Sequence, residues 1–192
     1  MKKAVISLLG CIVSAVIVIR YFNPDFSWFA EASGDDASSN MADMSQPLPH
    51  AVMPSADGEW VDFASYKGKV VLINFWTTWC SGCRDEMPQL IKLQNEFQDK
   101  GFTVVAVAID DEGEESVKSF VDTERFTVDG GSSAINFPVL MGRDELSRNM
   151  GFEGGLPASV LVSREGREVK IIRGPMHEKE VIRAIKRLLR AP

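Results

Sequence analysis

Two cysteines spaced C-x-x-C, Cys80 and Cys83, are the residues of this 192-residue chain with the clearest chemical potential. They follow an apolar, partly β-branched run over residues 70–76, which is typical of a strand buried on both faces. After the cysteines, apolar residues recur at helical spacing as far as Gly101, a residue type that commonly ends a helix. The pattern therefore predicts that both thiols lie where a central strand gives way to a helix.

The predicted position at a helix N-terminus would make one of these thiols reactive. Unpaired N–H groups there carry partial positive charge, which stabilises a thiolate and lowers a cysteine pKa from about 8.5 into the range of roughly 3.5–7.5. We expect Cys80 to be the attacking thiolate. Cys83, one turn further into the helix, would then resolve the mixed disulfide with a substrate by attacking Cys80.

Other kinds of site use the same spacing, namely half of a zinc site and a fixed structural disulfide. Zinc needs three or four protein ligands, and the further candidates are Cys11, inside an apolar stretch, and two separate histidines. Haem attachment is excluded because C-x-x-C-H needs a histidine where this chain has Arg84. We expect no metal and no cofactor, and we keep the zinc site and the static disulfide as alternatives.

The segment Asn-Phe-Trp-Thr-Thr-Trp-Cys-Ser-Gly-Cys-Arg-Asp-Glu-Met-Pro at residues 74–88, with Gly-Leu-Pro-Ala at 155–158, resembles the thioredoxin superfamily. More narrowly, it is similar to the membrane-tethered TlpA/ResA/CcmG-type thiol-disulfide oxidoreductases over about residues 48–189. The resemblance implies an α/β thioredoxin-like fold. That fold has a mixed sheet with a parallel βαβ part and a C-terminal antiparallel ββα part, helices on both faces and an N-terminal edge hairpin.

The resemblance also implies site residues beyond the two thiols. Pro157 would be cis and face the cysteines, and the backbone of Leu156 beside it could pair with an extended substrate segment. Glu86, three residues after Cys83, would be a partly buried acid that exchanges a proton with that cysteine. An ordinary exposed helical glutamate is the alternative at this position.

Two tryptophans and two departures from the family pattern complete the predicted site. We expect Trp76 and Trp79 to pack beneath and beside the thiols and to keep the substrate-contacting surface apolar. Asn74 stands where thioredoxins carry a buried aspartate, and an amide cannot titrate. Most relatives have proline where this chain has Gly82, so the direction of disulfide exchange stays open.

The rest of the domain gives further local predictions. Asp110 and Asp111 follow a second apolar strand and are expected to cap the next helix, while residues 126–134 are expected to be a surface loop. A short helix is predicted from Asp144. The other predicted elements are an edge hairpin at 51–53 and 60–63, a strand at 102–109 that completes a right-handed βαβ unit, an antiparallel hairpin at 159–162 and 169–172, and an amphipathic covering helix at 177–189.

Composition and the N-terminus bear on location. Residues 1–22 comprise Lys2 and Lys3, an uncharged and mostly apolar run, and Arg20, which predicts a membrane anchor or signal segment; lipidation at Cys11 is a further alternative. Residues 23–46 read as a flexible tether and 47–192 as the thioredoxin-like domain. A net charge of −6 argues against a nucleic-acid partner.

These features together favour an extracytoplasmic thiol-disulfide oxidoreductase on a bacterial cytoplasmic membrane. The resemblance implies that it reduces disulfides of exported proteins, such as apocytochrome c, and is itself re-reduced by a membrane thiol donor. A peroxiredoxin-like peroxidase is one alternative, although the proline expected seven residues before Cys80 is Ile73. A copper-binding maturation factor is the other, although such proteins space their cysteines C-x-x-x-C and use a histidine ligand.

Overall fold

The computed structural model describes residues 52–142 and 155–191. In those two ranges the chain forms nine strands and three α-helices, with short 3₁₀ turns at Phe63–Tyr66 and Gln98–Lys100. The elements in chain order are β1 (Val52–Pro54), β2 (Trp60–Asp62), β3 (Val70–Trp76), α1 (Ser81–Phe97), β4 (Phe102–Ala108), α2 (Glu114–Thr123), β5 (Phe126–Val128), β6 (Gly131–Ser133), β7 (Val139–Met141), β8 (Ala158–Val162), β9 (Glu168–Arg173) and α3 (Glu178–Arg190).

The main sheet has five strands in the order β7-β4-β3-β8-β9. β3 pairs in parallel with β4, and β4 with β7, whereas β8 is antiparallel to β3 and to β9. Every residue of β3 and β4 is buried, as their unbroken apolar sequences predict. The α/β thioredoxin-like fold with a mixed sheet is therefore confirmed.

Alternation along the central strands divides the core into two apolar layers. Leu72 and Trp76 of β3 point to one face, where they pack with buried side chains of α1, α2 and α3. Ile73 and Phe75 point to the other face, where Met53 of β1 and the nearby Phe63 cover them. The edge hairpin β1–β2 has the predicted antiparallel pairing.

Helix α1 starts beside the thiols and ends as its sequence indicates. Its α-helical part stops at Phe97, one 3₁₀ turn follows, and Gly101 adopts a left-handed conformation with φ of 86°. A residue with a Cβ adopts this conformation less easily than glycine does.

Two local predictions were wrong. Helix α2 is not capped by Asp110 or Asp111; its N-cap is Gly113, which makes no side-chain capping bond. The predicted surface loop at 126–134 contains the antiparallel hairpin β5–β6. Its turn residues Asp129 and Gly130 have φ of 49° and 83°, and two consecutive positive φ angles favour a tight hairpin turn.

Several predictions fall on residues that the structure does not describe. These are the anchor at 1–22 with Cys11, the tether at 23–46, and the short helix from Asp144. Among the described residues, no helix has the length and apolar character needed to cross a bilayer.

Candidate active site

The two cysteines occupy the start of α1. Cys80 is the N-cap residue, and its Sγ accepts a hydrogen bond from the backbone N–H of Cys83 at 3.2 Å. The N–H groups of Cys83 and Arg84 also donate to the carbonyl oxygen of Cys80, each at 3.1 Å. The sulfurs are bonded to each other at 2.11 Å, so the structure shows the oxidised pair Cys80–Cys83.

Burial distinguishes the two sulfurs. Cys80 retains 8% of its surface and Cys83 1%, so Cys80 is the more accessible of the two cysteines. On breaking the Cys80–Cys83 bond, a Cys80 thiolate would keep the N–H of Cys83 as a donor at the positive end of the helix. This geometry agrees with attack by Cys80 and resolution by Cys83.

Pro157 faces the segment between the cysteines. The Leu156–Pro157 peptide bond is cis, as the resemblance implied. A Cβ placed on Gly82 would lie 3.4 Å from Cδ of Pro157, which puts the proline ring against the first turn of α1. Leu156 is half-buried immediately before the proline, two residues ahead of β8, the strand that pairs with β3.

Glu86 is a buried acid on the same helix. Its Oε1 accepts a hydrogen bond from the backbone N–H of Met176, and its Oε2 accepts one from Nδ2 of Asn74 at 3.4 Å. Burial raises the pKa of the Glu86 carboxyl above its usual value, while the Met176 and Asn74 hydrogen bonds act in the opposite direction. The alternative of an exposed glutamate is therefore wrong.

Asn74 links Glu86 to the strand that follows Pro157. Its Nδ2 also donates to Oγ of Ser159 in β8 at 3.0 Å, and its Oδ1 is buried without a hydrogen-bond partner among the described residues. The amide is a neutral donor aimed at Glu86 and cannot itself titrate. Glu86 is thus the buried titratable group of this polar cluster.

The two tryptophans have different environments. Trp76 is fully buried and packs on Phe120 of α2, with ring centroids 5.0 Å apart, in the same apolar layer as both cysteines. Trp79 keeps 60% of its surface exposed directly before Cys80. Because Trp76 has no exposed surface, Trp79 is the one of these two tryptophans that could touch a substrate in this conformation.

Comparison with known proteins places the geometry in a family. The Redoxin family model matches residues 43–187, which is most of the chain. This chain belongs to the Redoxin family. It is 30% identical to the thiol-disulfide oxidoreductase ResA of Bacillus subtilis over 69% of each chain, and 32% identical to ResA of Geobacillus thermodenitrificans over 69% of this chain and 71% of the relative.

Solved structures agree with this assignment. A thiol:disulfide interchange protein of the thioredoxin family from Chlorobium tepidum matches with a TM-score of 0.63 and 31% identity, covering 76% of this chain and 97% of the other. The predicted resemblance is confirmed at the level of the thioredoxin superfamily and its ResA-like branch. This Redoxin-family protein is therefore a thiol-disulfide oxidoreductase, and Cys80 and Cys83 form a disulfide of the C-x-x-C type.

Asp110 and Asp111 have a role in this Redoxin-family protein that their sequence pattern did not predict. Oδ2 of Asp110 accepts hydrogen bonds from both the backbone N–H and the hydroxyl of Thr78, each at 2.6 Å. Oδ1 of Asp111 accepts one from Nε1 of Trp79 at 2.9 Å. Both carboxylates thus hold the loop that precedes Cys80. No group of three or more His, Cys, Asp or Glu side chains within 52–142 and 155–191 could hold a metal ion.

One signal in the sequence could have revealed this contact. β3 and β4 are neighbouring parallel strands, and Trp76 is paired with Ala108 at their carboxyl ends. Residues that follow two such ends lie side by side at one edge of the sheet. Asp110 and Asp111 follow β4 at the same distance as Thr78 and Trp79 follow β3. The sequence shows this equal spacing, and the observed register of β3 and β4 brings the four residues together.

Proposed function

We propose that this protein reduces disulfides of exported proteins on the extracytoplasmic face of a bacterial membrane. The observation that carries the proposal is the placement of Cys80 at the N-cap of α1, where its Sγ accepts the N–H of Cys83. A thiolate there gains both a hydrogen bond and the favourable end of the helix dipole. The protein whose disulfide is exchanged is called the client below.

The reaction moves two electrons from the dithiol to the client. The thiolate of reduced Cys80 attacks one client sulfur, a new S–S bond forms, and the other client sulfur leaves as a thiolate. Deprotonated Cys83 then attacks Sγ of Cys80, which forms the Cys80–Cys83 bond and releases the second client thiolate. Protons from the medium convert the client thiolates to thiols.

Glu86 would accept the proton of Cys83 before the second attack. The raised pKa of its buried carboxyl suits this role, because a general base works best when its pKa is near the working pH. Glu86 lies one helical turn after Cys83 on the same face. The carboxyl would act on Cys83 directly or through one water molecule.

The client would dock beside Pro157. Its extended segment would pair with the backbone of Leu156, and its apolar side chains would touch Trp79. Backbone pairing accepts many sequences, which suits exported proteins in general, and the ResA-like resemblance makes apocytochrome c our first candidate client. In an oxidising compartment the Cys80–Cys83 disulfide formed in each cycle would have to be reduced again by a membrane thiol donor. Residues 1–22 would anchor the domain near that donor.

Trapping a client covalently tests this proposal. Cys83→Ser leaves Cys80 able to attack but removes the resolving thiol, so disulfide-linked complexes should accumulate at least about tenfold over wild type on non-reducing gels. Cys80→Ser is the matched control and should trap none by this route. If Cys83→Ser recovers no exported protein and the reduced wild type does not reduce insulin, the proposed function is wrong.

A further inference from the structure

The connection between β4 and α2 is hydrogen-bonded to the residues that precede Cys80. We call residues 109–113 the β4–α2 loop. Its first residue, Ile109, donates its N–H to the carbonyl oxygen of Trp76 at 3.0 Å, and Asp110 then takes two hydrogen bonds from Thr78. The other oxygen of Asp110 accepts the N–H of Glu112 at 3.0 Å, so both oxygens of that carboxylate are hydrogen-bonded.

Asp110 accepts hydrogen bonds from the backbone and hydroxyl of Thr78, whereas Asp111 accepts one from the side chain of Trp79. The indole of Trp79 would be free to change rotamer on the surface, because 60% of it is exposed. The hydrogen bond from its Nε1 to Asp111 fixes one edge of the ring and leaves much of the ring accessible beside Cys80. A rigid aromatic ring binds a partner with a smaller loss of entropy than a mobile one.

We propose that Asp110 and Asp111 are positioning residues for client binding. Asp110 fixes the backbone of Thr78 ahead of Cys80, and Asp111 orients Trp79 as an apolar contact for the client beside the thiols. Neither carboxylate takes part in thiol exchange. The inference rests on the proposed function in one respect, which is that a protein client touches Trp79.

This role separates client binding from thiol chemistry. A small disulfide such as 5,5′-dithiobis(2-nitrobenzoate) needs only the sulfur of Cys80, whereas a protein also needs the surface around it. Loss of the hydrogen bond between Trp79 and Asp111 should therefore raise the concentration of protein disulfide needed for half-saturation. The rate with the small disulfide should stay unchanged. The expected effect is roughly three- to tenfold in half-saturating concentration, the range for one ordinary hydrogen bond, because this bond is exposed to competing water.

The experiment compares three variants of the full chain with wild type. Asp111→Leu removes the acceptor, and Asp111→Asn keeps an oxygen acceptor without the charge. Glu115→Leu is the matched control, since Glu115 is an exposed carboxylate in the first turn of α2. Each reduced protein is mixed with increasing insulin, its remaining thiols are counted by alkylation and mass spectrometry, and its midpoint potential is measured against glutathione.

Asp111→Leu should raise the half-saturating insulin concentration, with the limiting rate, the small-disulfide rate and the potential unchanged. Asp111→Asn should recover most of the loss, and Glu115→Leu should match wild type. The inference is overturned if Asp111→Leu matches Glu115→Leu with insulin, or if it slows the small disulfide as much as insulin. Failure of the proposed function would instead show in the wild type, which would then reduce the small disulfide but not insulin.

A double-mutant cycle tests whether Asp111 acts through Trp79. Trp79→Phe keeps an aromatic ring but removes the N–H that Asp111 accepts. Adding Asp111→Leu to Trp79→Phe should then change the half-saturating insulin concentration no further. If the two substitutions multiply their separate effects, Asp111 does not act through Trp79 and the inference fails.

Discussion

At the scale of single residues, the candidate active site combines two cysteines that are nearly buried with a buried acid. Glu86 has no charged neighbour that contributes to its raised pKa among the described residues; burial raises it, and two hydrogen bonds oppose the effect. Asn74 supplies one of those bonds and is itself held by Ser159. Because the amide of Asn74 cannot titrate, Glu86 is the residue that can take up a proton in the cluster of Asn74, Glu86 and Ser159.

Replacing Glu86 by glutamine should make stability less dependent on pH. The carboxyl has a raised pKa when folded and an ordinary one when unfolded, so its stabilising contribution is full below the ordinary pKa and is lost as pH rises through the folded pKa. Relative to wild type, Glu86→Gln should therefore gain free energy of unfolding as the pH rises above the ordinary carboxyl pKa of 4.5. The gain should be at most about 1.4 kcal/mol per pH unit, the limit for one proton.

Urea unfolding of the oxidised proteins across this pH range measures the effect. Glu96→Gln is the control, because Glu96 is an exposed carboxylate on the same helix. Parallel pH curves for wild type and Glu86→Gln would contradict the raised pKa and, with it, the reason for treating Glu86 as a base.

At the scale of elements, the chain after β7 lies very close to the carboxyl end of β4, where the β4–α2 loop begins. Gly142 follows β7 and donates its N–H to the carbonyl oxygen of Ala108 at 2.7 Å. A Cβ on Gly142 would overlap Cγ1 of Val107 and would lie 3.2 Å from that same carbonyl oxygen. Glycine therefore permits the close approach of β7 to the end of β4.

Gly142→Ala should cost about 1–3 kcal/mol in free energy of unfolding, since an added methyl group in a packed core forces its neighbours to move. Gly131→Ala is the matched control: its nearest atom outside the adjacent residues would be the carbonyl oxygen of Val128 at 3.6 Å, an ordinary contact. That control should stay within about 0.5 kcal/mol of wild type. Equal losses in urea unfolding for the two variants would show that the approach at Gly142 is not tight.

At the scale of the whole molecule, our proposal joins a redox domain to an N-terminal anchor. The uncharged run at residues 4–19 lies between Lys3 and Arg20, a pattern that favours a helix inserted in the membrane. A tether at 23–46 would let the domain reach clients near the surface. The proposed location would bring the Cys80–Cys83 pair close to a membrane thiol donor.

Two charges placed in the run should release the protein from the membrane or block its export. Val13→Asp with Ile17→Asp adds roughly 2.5–3.5 kcal/mol of insertion cost per residue. Val13→Leu with Ile17→Leu is the control and should stay in the carbonate-resistant membrane fraction with wild type. If wild type itself is found in the soluble fraction, or both double variants distribute alike, the anchor proposal is wrong.

The sequence by itself determined the central strand, the helix that follows it and the position of the thiols between them. The apolar run of β3, the helical period after Cys83 and the stop at Gly101 are local patterns, and a local pattern fixes local structure. The family resemblance at residues 74–88 and 155–158 implied the cis bond before Pro157 and the burial of Glu86. These features were predictable because each depends on residues that are close together in the chain.

Only the tertiary structure decided which polar groups meet. Asp110 and Asp111 looked like helix caps, since an aspartate ahead of a helix is the usual local solution. The parallel register of β3 and β4 instead brings both carboxylates to Thr78 and Trp79, donors 32 residues away in each case. The same holds for Glu86, whose partners come from β3 and from the turn before α3. Local sequence sets what a side chain can bond to, and the packing of distant strands selects the partner.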